Sequence, residues 1–169
     1  DDLAHPEYRN QKIENPLFIV GNFRCGSTFV QRLLAKDHKN FAVYRMWEMF
    51  LAPAIIERKI FRFLSKVDDL LGGFGKKLAH SFDDNTMGNV DLHKVSFFAP
   101  EEDENVLLHT WTSSYLMFMF PYLEEIPDYF HFDEVLPEKR QRQIMFYFER
   151  MVKRQLYVHP ESKHYLSKS

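Results

Sequence analysis

An α/β fold around a parallel sheet is what this sequence predicts, and three observations carry the prediction. The run Leu17 to Val20 is apolar and β-branched, breaks at Gly21, and is followed after a polar loop by the helical spacing of Phe29, Val30, Leu33 and Leu34. A second short apolar run, Phe41-Ala-Val-Tyr44, follows the end of that helix near Asp37-His-Lys-Asn40. A third, His164-Tyr-Leu-Ser167, follows a long amphipathic stretch near the end of the chain. The first two make a strand–helix–strand unit, whose parallel pairing sets both strand C-termini on one side of the sheet, the side on which open α/β sheets bind ligands.

The chain of 169 residues suits one domain, residues 1–169. Residues Asp1 to Asn15 are polar, carry Pro6, and are expected as a surface arm or short helix. The first strand is expected to be buried, and the first helix to run from about Ser27 to Lys36. A helix is expected from Trp47 to Ile60. Ile55, Ile56, Ile60, Phe63, Leu64, Val67 and Leu71 extend the helical spacing through Pro53 to Leu71, closed by Gly72-Gly73. Phe74 to Phe82 reads as a short helix and Asp83 to Asn89 as a turn-rich connection. Val106 to Phe120 is expected as an aromatic, methionine-rich helix ended by Pro121, Asp128 to Glu134 as a loop, and Pro137 to Tyr157 as an amphipathic helix with a solvated basic face.

Composition narrows the function classes. With 22 Lys and Arg against 24 Asp and Glu, the formal charge of −2 provides no general basic field for nucleic acid, so any anion site must be local. One cysteine, Cys25, excludes an intrachain disulfide and a multi-cysteine metal site, and no His/Asp/Cys cluster calls for a metal. No apolar run reaches the roughly 20 residues of a membrane span, and no leader stands at Asp1, so a cytoplasmic location is expected. Seventeen phenylalanines suit a core, with part of the aromatic surface open to an apolar acceptor.

The loop between the first strand and helix is the chemical centre of the sequence. Backbone N–H groups in the first turn of a helix lack intrahelical partners, and the helix dipole adds partial positive charge, so an anion can settle there. Gly26 permits close approach, Ser27 and Thr28 offer hydroxyl donors, and Arg24 offers a planar fork suited to phosphate or sulfate oxygens. An ordinary strand-to-helix turn, in which Ser or Thr only caps the helix, is the alternative. Cys25, in the same loop, has a further possible role as a nucleophile with a lowered thiol pKa. Gly21 and Gly26 have the glycine spacing of the nucleotide triphosphatase loop, but Ser27 stands where that motif needs lysine, which disfavours a P-loop nucleotide or sugar kinase.

Arg24-Cys-Gly-Ser-Thr28, directly after Phe18-Ile-Val-Gly21, resembles the P-R-S-G-T-T loop of sulfotransferases that use 3′-phosphoadenosine 5′-phosphosulfate (PAPS). Phe23, Cys25 and Ser27 depart from that pattern. Arg45-Met-Trp-Glu-Met-Phe50 resembles the T-W-E-M segment of the bacterial-type sulfotransferase family, Ala99-Pro-Glu-Glu-Asp103 its L-P-E-E segment, and Tyr165-Leu-Ser-Lys-Ser169 its V-L-K-S-P strand end. The four segments occur in the family's order and span most of the chain.

The resemblance implies a P-loop-like three-layer αβα fold with a central parallel sheet. It further implies transfer of a sulfuryl group from PAPS to a hydroxyl or amine on a small-molecule, glycan or lipid acceptor. Carried onto this sequence, Arg24, Cys25, Gly26, Ser27 and Thr28 would hold the 5′-phosphosulfate, Glu48 would be the base, and Lys168 would stabilise charge as the sulfur–oxygen bond breaks. His93 is the second choice as base or acceptor contact, and Glu101 or Glu102 would face the substrate. Residues for the 3′-phosphate follow the Lys168-Ser169 region in that family, so this chain is expected to be the N-terminal part of the domain. Two alternatives remain open: a surface role for Glu48, paired with Arg45 or Arg58, and a helix-dipole role for the acidic run after Pro100. A non-catalytic nucleotide-binding module is the remaining functional alternative.

Overall fold

A computed structural model describes residues 1–22, 24–86, 96–122 and 129–168. The three apolar runs do form strands: β1 (Leu17–Ile19), β2 (Phe41–Ala42) and β3 (His164–Lys168). They make a parallel sheet in the order β1-β3-β2, with Leu17 opposite Leu166, Ile19 opposite Lys168, and Phe41 opposite His164. The chain is therefore mixed α/β with a small parallel sheet. Its last strand lies in the middle, where the residues Tyr165 to Lys168 are buried.

β1 departs from the expected buried strand. It stands at the edge of the order, Leu17 is exposed, and Phe18 retains 59% of its accessible surface. Pairing on one edge satisfies its backbone but leaves its faces uncovered, and burial depends on what lies on the faces.

α1 (Ser27–Leu34) begins where the loop chemistry requires and ends within two residues of its expected stop. α2 (Met46–Phe50) and α3 (Ile55–Leu70) replace the continuous helix expected from Trp47, because Pro53 lacks an N–H and disfavours helical geometry in the residue before it. α4 (Phe74–Thr86) runs past its expected end, and Asp83, expected in a turn, is a buried helical residue that accepts hydrogen bonds from Ser96 Oγ (2.6 Å) and Phe97 N–H (2.8 Å).

The expected helix from Val106 to Phe120 does not form. A 3-10 helix covers Asp103–Thr110, Trp111 takes a left-handed φ of 55°, and only α5 (Leu116–Met119) is α-helical. Glu104 explains the break: its carboxylate accepts from Ser113 Oγ (3.0 Å), Ser114 N–H (2.8 Å) and Ser114 Oγ (2.6 Å), local bonds that compete with the helical ladder. α6 (Phe132–Val135) overlaps the end of the expected loop, and α7 (Glu138–Val158) matches the long amphipathic prediction.

α7 closes the core over β3. Ala42, Tyr44, Met49, Val106, Met151, Val152, Leu156 and Tyr165 form one buried cluster, and the Tyr44 hydroxyl donates to the Met151 carbonyl at 2.7 Å. The basic face of α7 is not simply solvated. Arg154 pairs with Asp1 at 2.9 Å and lies over the ring of the buried Tyr8, while Arg150 pairs with Asp2 and donates to Tyr8 Oη. These bonds lay the N-terminal arm, a 3-10 turn over Pro6–Asn10, along α7. Among the described residues no helix is long and apolar enough to cross a membrane.

Candidate functional site

The strand order determines what meets at the C-terminal edge of the sheet. Since Ile19 is opposite Lys168, the loop leaving β1 begins beside the end of β3. Arg24 has φ 63° and Gly26 φ 87°, both left-handed, and such turns build concavities lined by backbone N–H groups. Gly26 is the N-cap of α1 and no side chain hydrogen-bonds to cap the helix. Ser27 and Thr28 therefore sit inside the first turn rather than acting as the cap. Arg24, Cys25 and Gly26 are exposed, so the first turn of α1 opens to solvent. Within the loop the Cys25 N–H donates to the Asn22 carbonyl (3.2 Å), and a Cβ on Gly21 would lie 2.5 Å from Cys25 Sγ. A side chain at position 21 would displace that thiol.

Lys168 lies under this loop edge, 4% exposed, with Nζ 2.6 Å from Glu102 Oε1. Its neighbours on β3 are held by one carboxylate: Asp103 accepts from Tyr165 Oη (2.6 Å), Ser167 Oγ (3.0 Å) and the Lys168 N–H (3.3 Å). Glu101, the third acid of the run, binds α1 instead. Its carboxylate is 3.2 Å from Arg32 Nη2, and its carbonyl accepts from Gln31 Nε2 at 3.1 Å. The acidic run thus clamps α1 to β3 rather than merely complementing a helix dipole.

The segment around Glu48 is tied to the same run by backbone bonds. Arg45 bridges Pro100 antiparallel; Met46 N–H donates to Ala99 (3.1 Å), Trp47 N–H to Phe97 (2.9 Å), and Glu101 N–H to Tyr44 (3.2 Å). Glu48 itself is buried, not on the surface. Its Oε2 accepts from the Arg45 N–H at 2.9 Å and lies 3.4 Å from Gln155 Nε2, while Oε1 is 3.6 Å from His159 Nε2. The hydrogen-bond and ion-pair partners described for Glu48 come from its own helix start, from α7 and from His159 at the end of α7, and none is a loop residue or Lys168.

The two buried carboxylates differ electrostatically. Burial pushes Glu48 up, but the bond with His159, the charge of Arg58 and the Arg45 N–H outweigh it and hold Glu48 below the ordinary glutamate value. For Asp103 burial prevails over the bonds from Tyr165, Ser167 and the backbone, and its value is raised.

The structure therefore sets the end of β1, from which the loop of Arg24 to Thr28 departs, beside Lys168 and its partner Glu102, with Glu101 bound to α1 and Glu48 joined to the acidic run through the backbone of residues 97–101. His93 lies outside the described residues. Sequence reasoning missed the roles of Asp103, Gln31, Arg32, Gln155 and His159. Gln31 is wholly buried while its apolar neighbours Val30 and Leu33 are exposed, the reverse of what their composition indicates. Among the described residues no group of three or more His, Cys, Asp or Glu is placed to hold a metal ion. No protein-family model, curated protein or solved structure matches this chain.

Proposed function

We propose that this chain carries the 5′-phosphosulfate-binding loop of a PAPS-dependent sulfotransferase on a P-loop-like αβα framework. The supporting observation is that the segments around Glu48, Pro100 and Lys168 are hydrogen-bonded to one another, while β1 and α1, which flank the loop, are bonded to β3 and Glu101. The donor-binding side suits a sulfated or phosphorylated group. A left-handed glycine N-cap leaves backbone N–H groups of the first turn for an anion, and Ser27, Thr28 and the Arg24 fork add donors.

PAPS supplies the activated sulfuryl group; the residues here position it and stabilise charge. Arg24 to Thr28 hold the anion at the N-terminal start of α1. Lys168, fixed at the end of β3, provides positive charge where the leaving oxygen becomes negative. In the described arrangement Glu102 neutralises Lys168, so anion binding requires the lysine to be shared or exchanged between the carboxylate and the ligand. Glu48 takes the acceptor proton. With its value held low it is ionised across the neutral range, which makes it available as an acceptor but a weak base. The acceptor class proposed is a hydroxyl or amine on a small molecule, glycan or lipid.

Isothermal titration of the full-length protein with 3′-phosphoadenosine 5′-phosphate and with ATP tests this reading. The expected result is tighter binding of the bisphosphate. Tighter binding of ATP overturns the proposal in favour of a nucleotide kinase. Turnover assays with labelled PAPS and a panel of hydroxyl acceptors then identify the acceptor.

A further inference from the structure

The hairpin of α3 and α4 is held to the body along one side and exposes an apolar stripe on the other. At the start of α3, the N–H groups of Ile55 and Ile56 donate to the Asp1 carboxylate (2.9 and 3.2 Å), Arg58 Nε donates to the Ala52 carbonyl (2.9 Å), and Arg62 Nη2 to the Val158 carbonyl (3.0 Å). At the other end, Asp83 holds α4 to Ser96 and Phe97. Between these anchors α3 runs 16 residues, about 24 Å at 1.5 Å per residue. It turns through Gly72 (φ 99°) and Gly73 (φ 71°), two left-handed positions that suit glycine.

The apolar surface of this hairpin points outward. Ile56, Ile60, Phe63, Val67, Leu70 and Leu71 are all exposed, and their spacing puts them on one stripe of α3, away from the Ile55, Arg58 and Arg62 positions that meet the body. Phe74 and Leu78, one turn apart, extend the stripe on α4. Exposure peaks at the turn: Leu70 is 88% accessible, Leu71 77% and Phe74 74%.

Charge indicates what covers the stripe. Lys66 follows the apolar edge of α3 and Lys77 that of α4, while Lys59 on the same edge of α3 lies 3.1 Å from His5 Nε2 of the N-terminal arm. The acids at the turn are engaged within it: Asp68 caps the start of α4 through the N–H groups of Gly75 (2.7 Å) and Lys76 (2.9 Å), and Asp69 pairs with Lys76 at 2.6 Å. An apolar stripe edged by lysines is the arrangement of helices that lie in a membrane interface. Protein interfaces, by contrast, are depleted of lysine.

We infer that the α3–α4 hairpin is a membrane-docking element that seats Leu70, Leu71 and Phe74 in the interface of a bilayer containing anionic lipid. Lys66 and Lys77 face the headgroups. This does not depend on the sulfotransferase reading, and it makes the protein peripheral, not spanning.

The test is co-sedimentation of the protein with phosphatidylcholine vesicles, with and without phosphatidylglycerol. Binding is expected to the anionic vesicles and to weaken as salt is raised. Combining Leu70→Ser, Leu71→Ser and Phe74→Ser should lower the partition at least about tenfold, because three apolar side chains no longer leave water. Lys66→Gln and Lys77→Gln should each lower it about fivefold. Circular dichroism checks that the serine variant is folded. Independently, Leu71→Trp in an otherwise unchanged chain should show blue-shifted emission on vesicles and quenching by brominated lipid. Absence of binding to either vesicle overturns the inference, as does binding that the serine substitutions leave unchanged or a tryptophan that stays in water. A concentration-dependent dimer dissolved by the serine substitutions overturns it too, assigning the stripe to a second copy of the chain.

Discussion

Two acidic regions of this molecule are equally hidden from water and oppositely tuned. Around Glu48, on the α7 side, the carboxylate meets His159 and the charge of Arg58. Around Asp103, against β3, the donors are a phenol, a hydroxyl and a backbone N–H, all neutral. Burial costs each carboxylate its hydration, and only the first region supplies cationic compensation. Hydrogen bonds alone thus position a carboxylate without making its charge comfortable. Glu48 is built to stay ionised, whereas Asp103 is built to hold Tyr165, Ser167 and the end of β3 in place.

The largest effect should come from Glu48. If it is the base, Glu48→Gln lowers turnover about 10³-fold while affinity for 3′-phosphoadenosine 5′-phosphate changes little, measured by labelled-PAPS assay and calorimetry. The same change leaves His159 and Arg58 without their anion and should cost up to about 3 kcal/mol in urea unfolding. Reduced stability with undiminished turnover per folded molecule would assign Glu48 to the α7 network alone. Next in size, Lys168→Met should lower turnover about 10²-fold, because the lysine acts on developing charge. A variant that keeps full turnover removes Lys168 from the chemistry and leaves it as the partner of Glu102. Gly26→Ala should weaken bisphosphate binding about tenfold, since a left-handed φ costs an L-residue roughly 1–2 kcal/mol; unchanged affinity would show that the loop does not need this conformation.

Much of the framework was legible because it rests on local rules. The break at Gly21, the helical spacing from Phe29 and the run His164 to Ser167 each report strand or helix through period and propensity, and all three formed. The failures share one physical origin. Val106 to Phe120 has helical composition, yet the Glu104 carboxylate captures Ser113 and Ser114 across nine and ten residues, and no periodicity reports that. β1 read as buried because its composition is apolar, while burial depends on the neighbours a strand finds. At the site, the loop was visible as a motif, but the clamp of Glu101 to α1 and Asp103 to β3 joins residues more than 60 positions apart. An acidic run announces charge; it does not say which backbone or side chain each carboxylate will meet.

The smallest effect tests the contrast between Glu48 and Asp103 most directly, because it is one of sign. Glu48 has a folded value below its ordinary 4.5, so its contribution to stability is present above that pH and is lost as the pH falls through the folded value. Asp103 has a folded value above its ordinary 3.8, so the folded state holds the proton more tightly; its contribution is full below 3.8 and lost as the pH rises through the folded value. Acidification therefore weakens the fold through one carboxylate and strengthens it through the other. Asp103→Asn abolishes the second contribution, at a cost of about 1 kcal/mol from an impaired acceptor. Compared with the parent chain, its urea midpoint should fall more steeply on acidification from neutrality, whereas Glu48→Gln should make the fall shallower. Parallel shifts in the two variants would mean that both carboxylates have the same charge environment, and the distinction between cationic and neutral partners would have no energetic consequence.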